Sequence, residues 1–247
     1  MMTMDLQPVL DEPALLHKEK KLLVIADLHI GIETELQESG LQVPSQTDLM
    51  KERLITLIET YNIADLVILG DVKHNIPTSS IQERSDVRRF LDVVKTYTTL
   101  HILPGNHDGN IDRLLSSGIM LHPSSGVVLG GIGLVHGHRW PSDEVMQCDQ
   151  VVVAHTHPTI MLTDRLGYRI FEPCWLRAFC NQEKLHDRYP TSQNPFVFVL
   201  PAFNPLCGGI PVNRDQILGP FHLLLDIQDA LVYLLDGTAL GKVSDIK

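Results

Sequence analysis

Cysteine is scarce in this sequence. The 247 residues hold four, Cys148, Cys174, Cys180 and Cys207, and no two stand in C-x-x-C spacing. The simple reading is small buried apolar residues in a reduced, cytoplasmic chain. A zinc site or disulfide on Cys174 and Cys180 would lack a second clustered pair. No apolar run approaches the roughly 20 residues of a membrane span, so no membrane association is expected. The N-terminal stretch "MMTMDLQPVLDEPALLHKEKK" lacks a signal peptide's order of charge followed by an apolar core. Basic runs are also missing. The densest is "KEKK" at 18–21, and the net charge is −10. Proteins that hold duplex nucleic acid mainly by neutralising phosphates are usually basic, so tight sequence-independent duplex binding by this chain alone is disfavoured. There are no internal repeats and no low-complexity tracts.

With 44% apolar and 20% charged residues, the length suits a single α/β domain with a sizeable core. "KLLVIADLH" (21–29), "DLVILGD" (65–71) and "TLHILPGN" (99–106) read as buried strands. Between them lie two amphipathic helices. The first starts at the capping-box spacing "SQTD" (45–48) and carries Met50, Leu54, Leu57, Ile58 and Tyr61. The second starts at "SIQE" (80–83) and carries Val87, Phe90, Leu91 and Val94. Strand–helix–strand–helix–strand means parallel pairing through right-handed crossovers. The second half is richer in strands. Hairpins are expected around Gly130-Gly131 and between "TIMLTD" and "YRIFE", with strands at 150–158, 194–204 and 221–235. The expected architecture is two facing sheets with outer helices. The core motifs fall in 22–158, and 159–247 forms a β-rich elaboration of the same domain.

Polar residues gather where these strands end. The first strand ends in Asp27 and His29, the second in Asp71 and His74, and the third in Asn106, His107 and Asp108. "VHGHR" then supplies His136, His138 and Arg139, and "AHTHP" supplies His155 and His157. Seven of the twelve histidines fall in these motifs. The others, His17, His101, His122, His186 and His222, are scattered and read as ordinary core or surface residues. Each motif alone is ordinary turn or cap chemistry. "GNHD" is sharper, since a chance occurrence in this length is on the order of one in several hundred. Five such motifs at successive strand ends are where open α/β sheets bind ligands. "GGIG" at 130–133 is no dinucleotide loop, because it sits in a hairpin without the third glycine and the following helix. Carboxylate, imidazole and amide donors without thiolate suit manganese, iron or zinc. The D-x-H and H-x-H steps would send side chains i and i+2 to one side of an extended chain, so that both reach one centre. A shared ligand between two metals must be a carboxylate, and Asp71 is the candidate.

D-x-H, G-D-x-x-H, G-N-H-D, H-G-H and H-x-H in this order resemble the calcineurin-like metallophosphoesterase superfamily. The resemblance implies a four-layer α/β/β/α sandwich and two divalent ions, most simply manganese. It implies that Asp27, His29, Asp71 and His157 hold one ion, and that Asp71, Asn106, His136 and His155 hold the other. His107 matches the catalytic histidine. The implied reaction is phosphoester hydrolysis by an activated water, with His107 as general acid at the leaving oxygen. Two divalent ions outweigh two carboxylates, so an acidic protein can still present a cationic pocket. Asp108 would either orient the His107 imidazole or cap the next turn. His138 and Arg139 are candidate substrate contacts, with a surface salt bridge as the plain alternative for Arg139.

"GDVKH" resembles the corresponding element of SbcD-type DNA-repair nucleases, in which the final histidine, here His74, lies near the substrate. It also resembles the SbcD-related phosphoesterases, as do "PCWLRA" and "PAFNPLCGG". Asn204 and Gly208-Gly209 in the latter read first as turn residues. The resemblance points to a phosphodiesterase on short or single-stranded nucleic acid, with a helicase or ATPase partner supplying the basic track and a homodimer allowed by symmetry. One alternative is a nucleotide or metabolite phosphomonoesterase, which would need a further cation from Arg139 or Lys73. Another is a non-catalytic scaffold of the same fold.

Overall fold

Residues 6–77 and 79–246 are described by the computed structural model of the chain; the first five residues of the N-terminal stretch lie outside them. Two sheets face each other. The first has the order β1 (Leu6–Pro8), β2 (Leu15–His17), β3 (Leu22–Ile25), β4 (Asp65–Leu69), β5 (Thr99–Leu103) and β6 (Met120–Leu121). Strands β3 to β6 pair in parallel, and β1 and β2 add an antiparallel edge.

The second sheet contains β7 (Val127–Leu129), β8 (Ile132–Val135), β9 (Gln150–Val153), β10 (Pro158–Thr163), β11 (Arg169–Phe179), β12 (Phe196–Val199) and β13 (Ile210–Pro211). Its order is β13-β10-β11-β12-β9-β8-β7, and β11 also pairs with the hairpin of β14 (Leu231–Leu234) and β15 (Ala239–Lys242). Parallel pairing occurs between β8 and β9, β9 and β12, and β10 and β13.

Strand alternation explains why these segments are apolar throughout. In β3, Leu22 and Val24 point between the sheets, while Leu23 and Ile25 point toward helices α2 (Thr47–Tyr61) and α3 (Ile81–Val94), which follow the short α1 (Ile32–Glu38). In β4, Val67 and Leu69 face inward, and Leu66 and Ile68 face the helices. The second sheet repeats this: Val152 and Phe198 lie between the sheets, while Val151, Val153, Val197 and Val199 pack outward with α4 (Asp143–Met146), α5 (Gln182–Arg188) and α6 (Phe221–Leu224). Strands buried on both faces read as continuous hydrophobic runs. Three apolar layers thus separate four layers of structure, the α/β/β/α sandwich.

Two local readings need correction, at α2 and at 221–235, and the cap read at α3 holds. Helix α2 begins at Thr47 with Gln46 as N-cap and no side-chain cap; the Ser45 hydroxyl meets the Thr47 amide, and the Gln46 amide is bonded to Glu33. At α3, Ser80 does cap the Glu83 amide at 3.0 Å, but the Glu83 carboxylate turns away to the amides of His74 and Asn75. The expected strand at 221–235 is helix α6 followed by a 3-10 turn before β14, because Phe221 and Leu224 share one buried helical face after Pro220.

Phe90 is fully buried where α3 meets the first sheet. Phe90→Ala should lower stability by about 3–5 kcal/mol through lost burial and a residual cavity. Urea unfolding checks this, and a loss below about 1 kcal/mol would contradict the packing described.

Candidate metal centre

All five motifs emerge at the C-terminal ends of parallel strands: β3, β4, β5, β8 and β9. The chains leaving β3 and β4 stay hydrogen-bonded side by side. Asp27 N donates to Gly70 O at 3.1 Å, His29 N to Asp71 O at 2.8 Å, and Ile30 N to Val72 O at 3.0 Å. This continued pairing sets Asp27 and His29 beside Asp71. The sequence reading assumed extended chain here, and the structure differs. Asp27, His29, Asp71, His155 and His157 all have positive φ, between 41° and 70°. For residues with a Cβ, that left-handed backbone costs about 1–2 kcal/mol each. Side chains i and i+2 therefore need not share a side, and His155 and His157 turn to different groups.

Beside two clusters without a carboxylate (His29, His74 and His107; His29, His157 and Cys207), two donor groups that contain carboxylates result. In one, ligand atoms of Asp27, His29, Asp71 and His157 lie within 4.8 Å of one another; in the other, those of Asp71, His136 and His155 do. Asn106 Oδ1 joins the second group, 3.3 Å from His136 Nε2. Asp71 belongs to both. Its Oδ1 accepts from the His107 amide at 2.9 Å, and its Oδ2 stands 3.6 Å from His29 Nε2 and 3.5 Å from His136 Nε2. A Cβ on Gly105 would collide with the Asp71 carboxylate, and one on Gly70 with the His136 ring. Only glycine lets the backbone pass this close.

The outer nitrogens of these rings are anchored. His136 Nδ1 meets Leu69 O at 2.7 Å, His157 Nδ1 meets Gly208 O at 3.0 Å, and His29 Nδ1 meets His74 Nδ1 at 3.2 Å. Anchors of this kind fix ring orientation and tautomer in metal-binding histidines. Meanwhile, among the described residues, Asp27 Oδ1 and Oδ2, His29 Nε2 and His157 Nε2 are buried with no hydrogen-bond partner, Asp27 Oδ1 and His157 Nε2 meeting only as an ion pair at 3.4 Å. Orphaned buried acceptors carry a desolvation penalty that a cation would remove. The donor set, the anchored rings, the strained backbone and the orphaned atoms together fit two divalent ions.

Burial holds the His29 and His155 imidazoles down to about 4, so both are neutral and their lone pairs are free for a metal. Burial opposes charge on His136 as well, but the hydrogen bond and charge of Asp71, with the charge of Asp27, outweigh it and raise this ring to about 9. His157 is raised too, because Asp27 overrides its burial. Burial likewise pushes the Asp71 carboxyl up, yet His136 and His29 hold it well below the usual carboxylate range.

The remaining predicted residues divide. His107 lines a cleft of about 350 Å³ over the cluster, with His29, Asp71, Asn106, His155 and His157. Its Nδ1 is bonded to the His74 carbonyl, and its Nε2 has no partner among the described residues. His74 does not line the cleft; its ring bridges His29 and Glu35, whose Oε2 lies 2.6 Å from His74 Nε2. Asp108 neither touches the His107 imidazole nor merely caps a turn. It is buried, and its carboxylate accepts from the amides of Val72 (2.9 Å), Lys73 (3.2 Å) and Gly105 (2.9 Å), fastening the β5 loop to the β4 loop. Burial lifts its carboxyl to about 6 against the pull of the Gly105 amide. His138 packs 5.2 Å from the His136 ring, and burial lowers it to about 4, but it lies outside the cleft lining. Arg139 is exposed and also lies outside that lining.

Sequence reasoning underrated the β12–β13 loop. Asn204 is buried and its Nδ2 donates to Leu28 O at 2.8 Å; Gly208 anchors His157; Cys207 Sγ lies within ligand distance of His29 and His157. "PAFNPLCGG" was visible, but its chemistry depends on a fold-back across some 180 residues. His101, in the middle of β5, pairs with His122 just after β6 and with Asp65 at the start of β4, away from the donor groups, as befits a structural residue.

The chain belongs to the calcineurin-like phosphoesterase family, whose model matches residues 20–170, more than half of its length. That family consists of hydrolases that typically bind a dinuclear metal site. No curated protein matches the chain. Among solved structures, it is similar to the nuclease MPE of Pseudomonas putida, with 21% identity over 94% of this chain and 97% of that one and a TM-score of 0.57. Yfce, a phosphoesterase from E. coli, shows 20% identity over 90% and 97% with a TM-score of 0.40.

Two outcomes follow from this geometry. Gly105→Ala should displace Asp71 and weaken metal binding by about 10–100-fold with the fold retained; metal titration with circular dichroism checks both, and unchanged affinity would contradict the contact. Metal uptake at pH 7 should release a proton, because His136, raised to about 9, must give its own up, so affinity should fall as pH drops below about 9. Calorimetry in buffers of different ionisation enthalpy reads this directly, and a buffer-independent heat would contradict it.

Proposed function

We propose that this protein is a dinuclear-metal phosphodiesterase, nuclease-like in its substrate class and manganese-dependent. The observation that carries the reading is the Asp71 carboxylate, shared by two donor groups beneath a cleft whose wall is the His107 ring. Asp27, His29, Asp71 and His157 would hold one ion, and Asp71, Asn106, His136 and His155 the other. When bound, such ions supply an activated water and draw charge from the phosphoryl oxygens.

The chain's own residues do the rest. The His74 carbonyl holds His107 by Nδ1, so Nε2 faces the cleft. As the phosphorus–oxygen bond to the leaving group breaks, a protonated Nε2 gives its proton to that oxygen. Glu35 and His74 act at one remove, fixing the ring of His29. Asp108 keeps the two loops in register, so that His107 and Asp71 hold their spacing.

Diester chemistry is favoured over monoester chemistry by the charge of the lining. Neither Arg nor Lys lines the cleft among the described residues, Arg139 is exposed elsewhere, and the Lys73 ammonium is bonded to Asn75 O at 2.9 Å. The additional cation that a dianionic monoester would call for is therefore not supplied. The sharing of its fold with a nuclease is consistent with this reading.

With manganese, the protein should turn over a chromogenic phosphodiester and leave the matched monoester nearly untouched, and chelator should abolish the activity. Asp71→Asn should be inactive. His107→Ala should lose about 10²–10⁴-fold on an alkyl diester and much less on a nitrophenyl diester, whose leaving oxygen needs little protonation. Turnover of the monoester alone would sink the diesterase reading, and equal losses on both diesters would remove His107 from the general-acid role.

A further inference from the structure

Beside the metal-centre cleft lies a second, larger one of about 590 Å³. The loops after β4 and β5 contribute residues to both, though none of the described residues lines the two together. Gly109 and Asn110, directly after His107 and Asp108, line the second cleft, as does Lys73, two residues after Asp71. The opposite wall is Arg84 and Arg88, one turn apart on α3, and Arg113 follows from the 3-10 turn after Asn110. Among the described residues, no Asp or Glu lines this cleft and no carboxylate lies within ion-pair distance of any of these four cations. The contrast with their neighbours is sharp: Arg89 is paired with Asp86 at 3.0 Å and Lys95 with Asp92 at 3.1 Å. Arg84 and Arg88 stand at i and i+4, where like charges repel along a helix. Three arginines facing one hollow without an ion-pair partner among the described residues, beside a Lys73 ammonium bonded only to the Asn75 carbonyl there and with Asp92 acting on Arg88 only at longer range, are a local positive excess in a chain of net charge −10 that an anion would relieve.

The cleft is also held in shape. Arg88 donates to the Arg113 carbonyl at 2.8 Å, which ties α3 to the 3-10 turn, and Asp108 fastens the Lys73 and Gly105 backbones together. The hollow is thus fixed relative to His107 by the same loop that carries it.

From this juxtaposition we infer that the cleft formed by Lys73, Arg84, Arg88 and Arg113 binds the phosphate backbone of a nucleic-acid strand flanking the scissile phosphate. The inference rests on the phosphodiesterase reading above and names its substrate as a polynucleotide rather than a small diester. It also reconciles an acidic protein with a polyanionic substrate, because the positive charge needed is local. Arginine suits phosphate oxygens through its planar fork of donors.

The test reads binding apart from turnover. A fluorescent single-stranded oligonucleotide of about 20 nucleotides is titrated with the protein in chelator and followed by anisotropy. The variants are Arg84→Gln/Arg88→Gln/Arg113→Gln and, for equal loss of charge elsewhere, Lys18→Gln/Lys20→Gln/Lys184→Gln. The cleft variant should bind at least about 10-fold more weakly, and its dependence of log K on log salt should be shallower by about 2, the share of three phosphate contacts on a single strand. The control variant should stay within about 3-fold of the unmodified protein. Turnover of a small chromogenic diester with manganese should be unchanged in the cleft variant, which also shows that it folds. Arg84→Gln alone, whose side chain bonds only the Ser80 carbonyl among the described residues, should move binding in the same direction. Equal weakening in both triple variants, or no binding by the unmodified protein, would overturn the inference. Failure of the unmodified protein to turn over the small diester would instead strike the phosphodiesterase reading, independently of the binding result.

Discussion

The position of one carboxylate organises this molecule. Asp71 sits where β4 ends, and its two oxygens do different work. Oδ1 is held by the His107 amide, and Oδ2 is left between His29 and His136. A carboxylate has lone pairs for two cations, and an imidazole does not. Everything nearby serves to keep that group in place. Gly105 removes the side chain that would strike it, Gly70 lets the His136 ring approach, and Asp108 locks the β5 loop against the β4 loop. The two sheets meet here as well, since His136 leaves β8 in the second sheet and bonds to Leu69 O in the first.

The arrangement is costly in the absence of a cation. Five residues of the two donor groups adopt a left-handed backbone, and four of their polar atoms are buried without hydrogen-bond partners among the described residues. Strain and orphaned acceptors of this kind persist where the surrounding structure over-determines them, typically at functional sites. Here the support is the apolar layer between the sheets and the outer layers beyond them, which fix the strand ends from which the loops spring. A rigid scaffold presenting irregular, strained loops is a common division of labour between stability and chemistry. The charge pattern follows the same logic. The chain is acidic overall, while one hollow beside the site gathers Lys73, Arg84, Arg88 and Arg113 with no Asp or Glu in its lining among the described residues.

Much of this was legible in the sequence. The central strands and the two large helices declared themselves by period and composition, since residues such as Leu23 and Val24 must face two different apolar layers. The motifs at strand ends located Asp27, His29, Asp71, Asn106, His107, His136, His155 and His157, which the fold brings to one place. Less legible was anything decided by tertiary contact. The spacing "SQTD" promised a capping box, but Glu33 took the Gln46 amide first. Asp108 was expected either to orient the His107 imidazole or to cap the next turn, whereas three backbone amides from two loops claim its carboxylate. Left-handed backbone at His155 and His157 defeats a same-side argument that assumed extended chain. Asn204, Cys207 and Gly208 act on Asp27, Leu28 and His157 through long-range contacts that no local pattern encodes. Arg84, Arg88 and Arg113 form a patch only once α3 and the loop after β5 are side by side.

The central claim is that one carboxylate joins two cation sites, and the spectrum of a paramagnetic probe reports this most directly. The protein would be freed of metal, loaded with manganese to saturation, and examined by electron paramagnetic resonance alongside elemental analysis. The account predicts two manganese ions per chain and the broad multiline signal of an exchange-coupled pair bridged through a shared ligand. One ion per chain, or the six-line signal of isolated ions at full occupancy, would contradict it.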